Sequence, residues 1–160
     1  MSRSSQQRPA DSSGSSRREV TALDLRTARK MLPLVKSILA DIRTYHVRLN
    51  ELNPEQDRLE RNRRTLNWGE RDRRYNISED IRVAETNLST AVGELGDLGV
   101  ELVDVEAGAI DFPTRINGRS AAFSWQAGEE AVGFWHYKGE GTRRPIPADW
   151  IASQSQALPV

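Results

Sequence analysis

The sequence predicts an α+β fold in which a long antiparallel helical hairpin packs with a small antiparallel sheet of about four strands. Apolar residues recur at steps of three and four over residues 25–49 and again over residues 77–98, which is typical of helices. From residue 100 the apolar period changes to two, and turn residues separate short runs. The chain has 160 residues and no cysteine, so an apolar core rather than disulfides has to stabilise it.

The first 19 residues contain seven serines and almost no apolar side chain. Such a segment cannot bury enough surface to offset the entropy of ordering it, so we predict a disordered tail over residues 1–19. This segment lacks the apolar middle of a signal peptide, and no apolar run in the chain approaches the ~20 residues that cross a bilayer. The sequence therefore predicts a cytoplasmic protein that does not enter a membrane.

Charge is balanced over the whole chain, with 23 basic and 23 acidic residues. It is uneven locally, because residues 1–75 carry 17 Lys and Arg against 10 Asp and Glu, whereas residues 76–112 carry 1 against 9. A neutral total favours neither a nucleic acid nor a membrane surface as the general partner. The chain is therefore polarised rather than neutral throughout.

Thr21 followed by Asp24 predicts a helix start, since a hydroxyl and a carboxylate can both accept from first-turn amides. Pro33 should kink this helix or mark its effective first turn, and Asn53-Pro54 should end it. The apolar seam of this first helix consists of Leu25, Ala28, Leu32, Val35, Leu39, Ile42, His46 and Leu49. A polar residue such as His46 at a seam position more often fixes the pairing of helices than performs chemistry.

A second seam predicts the returning helix, which Gly99 should cap. Its members are Ile77, Ile81, Ala84, Leu88, Ala91, Leu95 and Leu98. The two seams can face each other in a hairpin spanning residues 20–99, with a charged tip near residues 54–75. Alternatively, one or both seams could be shared with another chain, which would make the protein a homodimer.

Residues 100–150 predict the sheet. Strands are expected from Val100, over Ala109–Phe112 with Pro113 at an end or edge, over Arg119–Trp125, and over Val132–Tyr137. The pair Asn117-Gly118 is typical of a type I′ hairpin turn. If the next turn is centred on Gly128-Glu129, Phe134 lies opposite Phe123 and His136 opposite Ala121. A short turn around Asp149-Trp150 and a flexible tail over residues 151–160 complete the predicted chain.

The sheet contains the first candidate site, a polar cluster of Asp111, Glu129, Glu130, His136, Arg143 and Arg144. His136 could act as a general base or metal ligand with Glu129 or Asp111 beside it, while Arg144 binds an anion. The alternative, which we favour, is a histidine that hydrogen-bonds a buried carboxylate and stiffens the sheet. No paired histidine motif accompanies it, so the sequence predicts neither a metal, nor a cofactor, nor an assigned catalytic residue.

Aromatic side chains provide a second candidate, centred on Trp125, Trp135 and Tyr137. The predicted register places Trp135 and Tyr137 over Ser120 and Ala122, where a half-covered aromatic face could bind a partner or ligand. The alternative is that the C-terminal segment folds back and covers this face with Trp150, and we favour that covering.

The third candidate is the arginine-rich tip, where Trp68 and Tyr75 stand among seven arginines at residues 54–75. Arginines with aromatic neighbours are typical of nucleic-acid contacts. Interleaved acids reduce the net charge of this segment to +2. Helical ion pairs at i,i+4, namely Asp57–Arg61, Glu60–Arg64 and Glu70–Arg74, would account for most of these charges as a solvated surface. Nucleic-acid binding is therefore the less favoured hypothesis.

The order of short motifs GAIDFP, NGR, WQAGEE, FWH and RRPI, following LPLV and LGVELVD, resembles an uncharacterised bacterial family catalogued as domain of unknown function 2203. The likeness covers about residues 21–147. It implies a prokaryotic cytosolic protein with the same helix-and-sheet layout, and it implies no catalytic residue.

The sequence has two regular apolar seams and no recognisable catalytic motif. These observations favour a non-enzymatic coiled-coil interaction or scaffold module. Its partner would be another protein or a second copy of the chain. A ligand-binding or enzymatic site around Glu129 and His136 is the first alternative. Weak nucleic-acid binding through the tip is the second.

Overall fold

The computed structural model describes residues 22–155, with side chains described as far as Ile151. The predicted tail at residues 1–19, the predicted cap Thr21 and the last five residues lie outside that range. The elements in order are α1 (Leu25–Arg61), α2 (Trp68–Asp97), β1 (Glu101–Asp104), β2 (Ala109–Ile116), β3 (Arg119–Gln126), β4 (Phe134–Tyr137), β5 (Arg144–Pro145) and α3 (Ala148–Ser155). The α+β prediction is confirmed: two long helices pack together beside an antiparallel sheet. In residues 22–155 no helix is both long and apolar enough to cross a membrane.

Asp24 caps the N-terminus of helix α1, and its carboxylate accepts from the Thr27 amide at 2.6 Å. This hydrogen bond is the main reason that the pKa of Asp24 lies below its ordinary value. The helix passes through both Pro33 and Pro54, so the predicted end at Asn53-Pro54 is wrong. A proline inside a helix costs roughly 3 kcal/mol. Leu52 and Leu59 lie on either side of Pro54 and are fully buried. Because burying each leucine contributes about 1.5–3 kcal/mol, the helix continues.

Asn67 caps the N-terminus of helix α2 and forms a capping box with Glu70. The two predicted seams pack against each other within this chain. Toward the tip they form a separate core cluster of Leu49, Leu52, Leu59, Leu66, Ile77, Ile81 and Ala84. At the other end, buried side chains from the first half of α1 and the end of α2 pack with side chains of the sheet in a larger core cluster. His46 is half-buried at the margin of the seam.

The sheet is a meander in the order β1-β2-β3-β4-β5, one strand more than predicted, because the extended segment at Arg144-Pro145 pairs with β4. Asn117 and Gly118 both have positive φ, 53° and 73°, as a type I′ turn requires. Strand β2 continues through Pro113, which is tolerated because β1 pairs only as far as Asp111. Beyond that point the Leu23 amide donates to the Pro113 carbonyl at 2.8 Å.

The predicted register of β3 and β4 is wrong by one residue. Phe134 lies opposite Ser124, and His136 lies opposite Ala122. The connecting loop is held by its own contacts: the Gln126 amide donates to the Glu129 carboxylate at 2.6 Å, and Trp125 Nε1 donates to the Glu129 carbonyl at 3.0 Å. A shift of one residue moves every side chain of a strand to the opposite face.

The corrected register places Trp135 on the helix-facing side with Phe112 and Phe123, where it is buried. Trp135 and Tyr137 therefore do not lie over Ser120 and Ala122. Where the sequence predicts a short turn at Asp149-Trp150, helix α3 forms and occupies the first half of the predicted tail. Trp150 contacts the Trp135 ring with 5.3 Å between centroids, as the favoured covering hypothesis requires.

Candidate functional site

The outer face of the sheet, opposite the helices, contains Asp111, Ser124 and His136 on adjacent strands. His136 Nε2 donates to Asp111 Oδ2 at 2.8 Å, and its Nδ1 donates to the Tyr137 carbonyl at 2.9 Å. The side chains of His136 and Asp111 are only 15% and 11% exposed. Both ring nitrogens of His136 are therefore engaged in hydrogen bonds within the sheet.

The second part of the predicted cluster is a closed network around Arg143. Its guanidinium donates to Glu129 Oε1 at 2.6 Å and to Ser124 Oγ at 2.9 Å, and it lies 4.3 Å from the Phe134 ring centroid. Since Glu129 also accepts from the Gln126 amide, this network fastens the β3–β4 loop to the segment before β5. Glu129 bonds to Arg143 rather than to His136, so the predicted Glu129–His136 pairing does not form.

Arg144 lies on the opposite face of the sheet from His136. It pairs in register with Trp135, lies 4.9 Å from that ring centroid, and forms an ion pair with Glu140 at 3.1 Å. Trp125 is buried in the core, with the Lys36 ammonium 5.3 Å from its ring centroid. The structure thus brings Asp111 together with His136 and Glu129 together with Arg143, and it places Trp125, Trp135 and Arg144 on the helix-facing side. Glu130 is exposed.

A groove of about 750 Å³ runs over the outer face of the sheet, with Asp111 and His136 in its lining. Its walls carry Glu101, Arg115 and Lys138, charges that the sequence did not single out because the face they share depends on the register. Both signs of charge meet in this groove. Among residues 22–155 no three His, Asp or Glu side chains are grouped so that they could hold a metal ion.

At the other end of the molecule, the hairpin tip (residues 54–75) carries the two most exposed large hydrophobic side chains of the described residues. Trp68 is 75% exposed and Tyr75 is 80% exposed. They are seven residues apart on α2, hence on one face and about 10 Å apart along the helix axis. Neither ring belongs to the core clusters. At this end of the hairpin the core ends with Leu66, so the two rings do not contribute to the packing of the core.

The ion pairs of the tip differ from the three predicted ones. Glu60 pairs with Arg74 at 2.7 Å, and Glu55 pairs with Arg73 at 2.7 Å, both across the two helices. These hydrogen bonds hold the pKa values of Glu55 and Glu60 below their ordinary range. The remaining predicted pairs are also replaced. Glu70 approaches Arg58 at 4.0 Å, and Arg61 donates to the Asp57 backbone carbonyl. Within the described part of the chain, Arg63, Arg64 and Arg71 form no ion pair, and all three are exposed.

Comparison with known proteins identifies one family. A family model described as "Uncharacterized conserved protein (DUF2203)" matches residues 22–146, a range that includes the sheet and the whole of the described hairpin. Neither the curated proteins nor the solved structures contain a match to this chain.

Proposed function

The chain belongs to the DUF2203 family of uncharacterised conserved proteins, and we propose that it is a non-enzymatic interaction module whose helical hairpin presents its tip to a partner macromolecule. The observation that carries this proposal is the exposure of Trp68 and Tyr75 on one face of α2. Exposed tryptophan and tyrosine are typical of contacts that contribute most of the binding free energy in interfaces. A stable hairpin whose own seam is filled can present them without unfolding.

The contacts of His136 support a structural role for the sheet cluster in this proposal. Its two ring nitrogens are both engaged: Nδ1 contacts the Tyr137 carbonyl within β4, and Nε2 connects β4 to Asp111 of β2 across the intervening strand. Arg143 in turn joins Ser124 and Glu129. Networks whose polar groups are all satisfied stiffen a small sheet. The sheet then serves as the base from which the hairpin projects.

The proposal is tested by site-specific photo-crosslinking in cells that express the protein naturally. A photoreactive phenylalanine analogue replaces Trp68, Tyr75 or, as control, Val47, an exposed side chain on the neighbouring helix. We expect one discrete adduct from positions 68 and 75 and none from position 47. The purified partner should then bind the wild-type protein and not the Trp68→Ala variant. Equal crosslinking from all three positions would refute the proposal.

A second candidate function is ligand binding in the groove over the outer face of the sheet. The groove's volume of about 750 Å³ and the Asp111–His136 pair in its lining favour it. Native mass spectrometry of the protein purified from its own host would support this function if a discrete added mass disappears in Asp111→Asn. Wild-type protein without any added mass would count against it.

A further inference from the structure

We propose that the partner of the hairpin tip is single-stranded nucleic acid. This inference rests on the proposed function, because it names the partner of the same surface. The tip combines two features that such a strand requires: flat aromatic rings for its bases and unpaired cations for its phosphates.

The rings of Trp68 and Tyr75 are exposed singly and not as part of a continuous apolar patch. Arg71 lies between them on the helix, three residues after Trp68 and four before Tyr75. Residues at these spacings are neighbours on a helix surface. The nearest exposed aliphatic side chain along α2 is Val83, about two turns beyond Tyr75. Isolated rings separated by a guanidinium suit successive bases better than they suit the apolar centre of a protein interface.

The second feature is the positive charge of the arginines at the tip that form no ion pair. Arg73 and Arg74 form ion pairs across the two helices, so their charges are neutralised. Arg63, Arg64 and Arg71 are exposed and have no acidic partner among the described residues. Arg63 and Arg64 lie in the connection between the helices, and Arg71 lies one turn into α2. The free cations therefore flank Trp68 along the chain on both sides.

A shallow groove of about 520 Å³ continues this surface along α2. It is lined by Arg71 and Tyr75 together with two acids, each of which is already neutralised. Glu60 pairs with Arg74, and Glu79 pairs with Arg82 at 2.5 Å. The uncompensated charge of the groove lining is therefore the positive charge of Arg71. An extended strand with one base on each ring could place its phosphates along this groove.

Asp72 is the one acid on this face that forms no ion pair in the described part of the chain; it accepts a hydrogen bond from Asn76 at 3.4 Å. It lies beside Arg71 and opposes a polyanion. If the ligand is a nucleic acid, Asp72→Asn should therefore tighten binding. For a partner that places a cation beside Asp72, the same substitution should instead weaken binding.

The test measures fluorescence anisotropy of labelled 12-nucleotide single strands of RNA and DNA, and of a duplex, with the full chain. We expect micromolar binding that prefers single strands. Three phosphate contacts predict a loss of roughly 20-fold in affinity between 50 and 200 mM salt. Trp68→Ala and Tyr75→Ala should each weaken binding by at least about fivefold. Arg64→Ala should weaken it and flatten the salt dependence, while Val47→Ala and Arg26→Ala should change neither.

Three outcomes would overturn the inference: no binding of single strands, equal binding of the duplex, or binding that Trp68→Ala and Tyr75→Ala leave intact. A dimer that depends on Trp68 in sedimentation experiments would assign the surface to a second copy and would also overturn it. If single strands do not bind but the crosslinked adducts from positions 68 and 75 persist as protein, this inference fails and the interaction-module proposal stands. If those adducts are absent as well, both fail. Circular dichroism establishes that each variant is folded.

Discussion

Removal of the His136 side chain should destabilise the protein without affecting the hairpin tip. In His136→Ala the Asp111 carboxylate, which is 8% exposed as a residue, loses its imidazole partner. A buried acceptor left without its hydrogen bond costs about 1–3 kcal/mol, and breaking a fully buried ion pair costs roughly 3–5 kcal/mol. Because water still reaches 11–15% of these side chains, we expect a loss of about 2–3 kcal/mol.

A double-mutant cycle isolates the pair from other effects of truncation. The four proteins are wild type, His136→Ala, Asp111→Ala and the double variant, each unfolded in urea and followed by circular dichroism. Removing both partners leaves no orphaned charge, so the double variant should be more stable than the sum of the single losses predicts, by about 1–2 kcal/mol. The matched control is Arg82→Ala, which breaks an ion pair whose side chains are 66% and 58% exposed; because water screens this pair, its loss should destabilise the protein far less than His136→Ala does.

Two results would refute this reasoning. If His136→Ala costs no more than Arg82→Ala, the Asp111–His136 pair does not fasten the sheet. If the double variant is additive, the two residues act independently. Crosslinking at position 68 should be unchanged in His136→Ala, because the pair lies on the sheet and the tip at the far end of the hairpin.

Substitutions at three further positions test other parts of the fold. Ile77→Ala should cost about 2–5 kcal/mol in urea unfolding, because Ile77 is fully buried in the core cluster near the tip; a loss below 1 kcal/mol would contradict that packing. Asp24→Ala should cost about 1 kcal/mol at neutral pH. Since the pKa of Asp24 is lowered in the folded state, the carboxylate's contribution is present above its ordinary pKa and is lost as the pH falls through the folded pKa. The Ala variant should therefore approach wild type in acid, whereas Asp24→Asn, which keeps an acceptor, should lose little at either pH. Gly108→Ala should lower the melting temperature, because φ is +66° there and a new Cβ would lie 2.8 Å from the Ala127 Cβ; an unchanged melting temperature would show that this turn can relax.

Sequence periodicity was sufficient for the main architecture. The step pattern of the two seams identified all five buried positions of α2 and seven of the ten in α1, because a helix that packs on one side must place apolar residues at that spacing; it missed Ile38, Leu52 and Leu59. The Asn117-Gly118 turn could likewise be predicted from the sequence, since few other residue pairs adopt two successive positive φ angles. Such features can be predicted because a tight turn depends on local stereochemistry and a seam repeats along one face of a helix.

The ends of elements were harder to predict when a local signal competed with packing. Asn53-Pro54 is a strong local signal for a helix end, and the burial of Leu52 and Leu59 outweighs it. In the same way, the i,i+4 ion pairs were reasonable for an isolated helix. Once α2 lies beside α1, Glu60 and Glu55 find arginines across the hairpin instead, and Arg64 is left free.

The candidate site depended most on tertiary structure. The sequence by itself determined that Asp111 and His136 belong to neighbouring parts of one small sheet, and that Trp68 and Tyr75 lie in the tip. It did not determine the register of β4, because β3 and β4 are joined by a loop over residues 127–133 and not by a two-residue turn at Gly128-Glu129. The resulting shift of one residue decides which face His136 occupies, so only the folded sheet brings it to Asp111 and turns Trp135 into the core. Only the folded hairpin, likewise, shows that its core is filled without the two exposed rings.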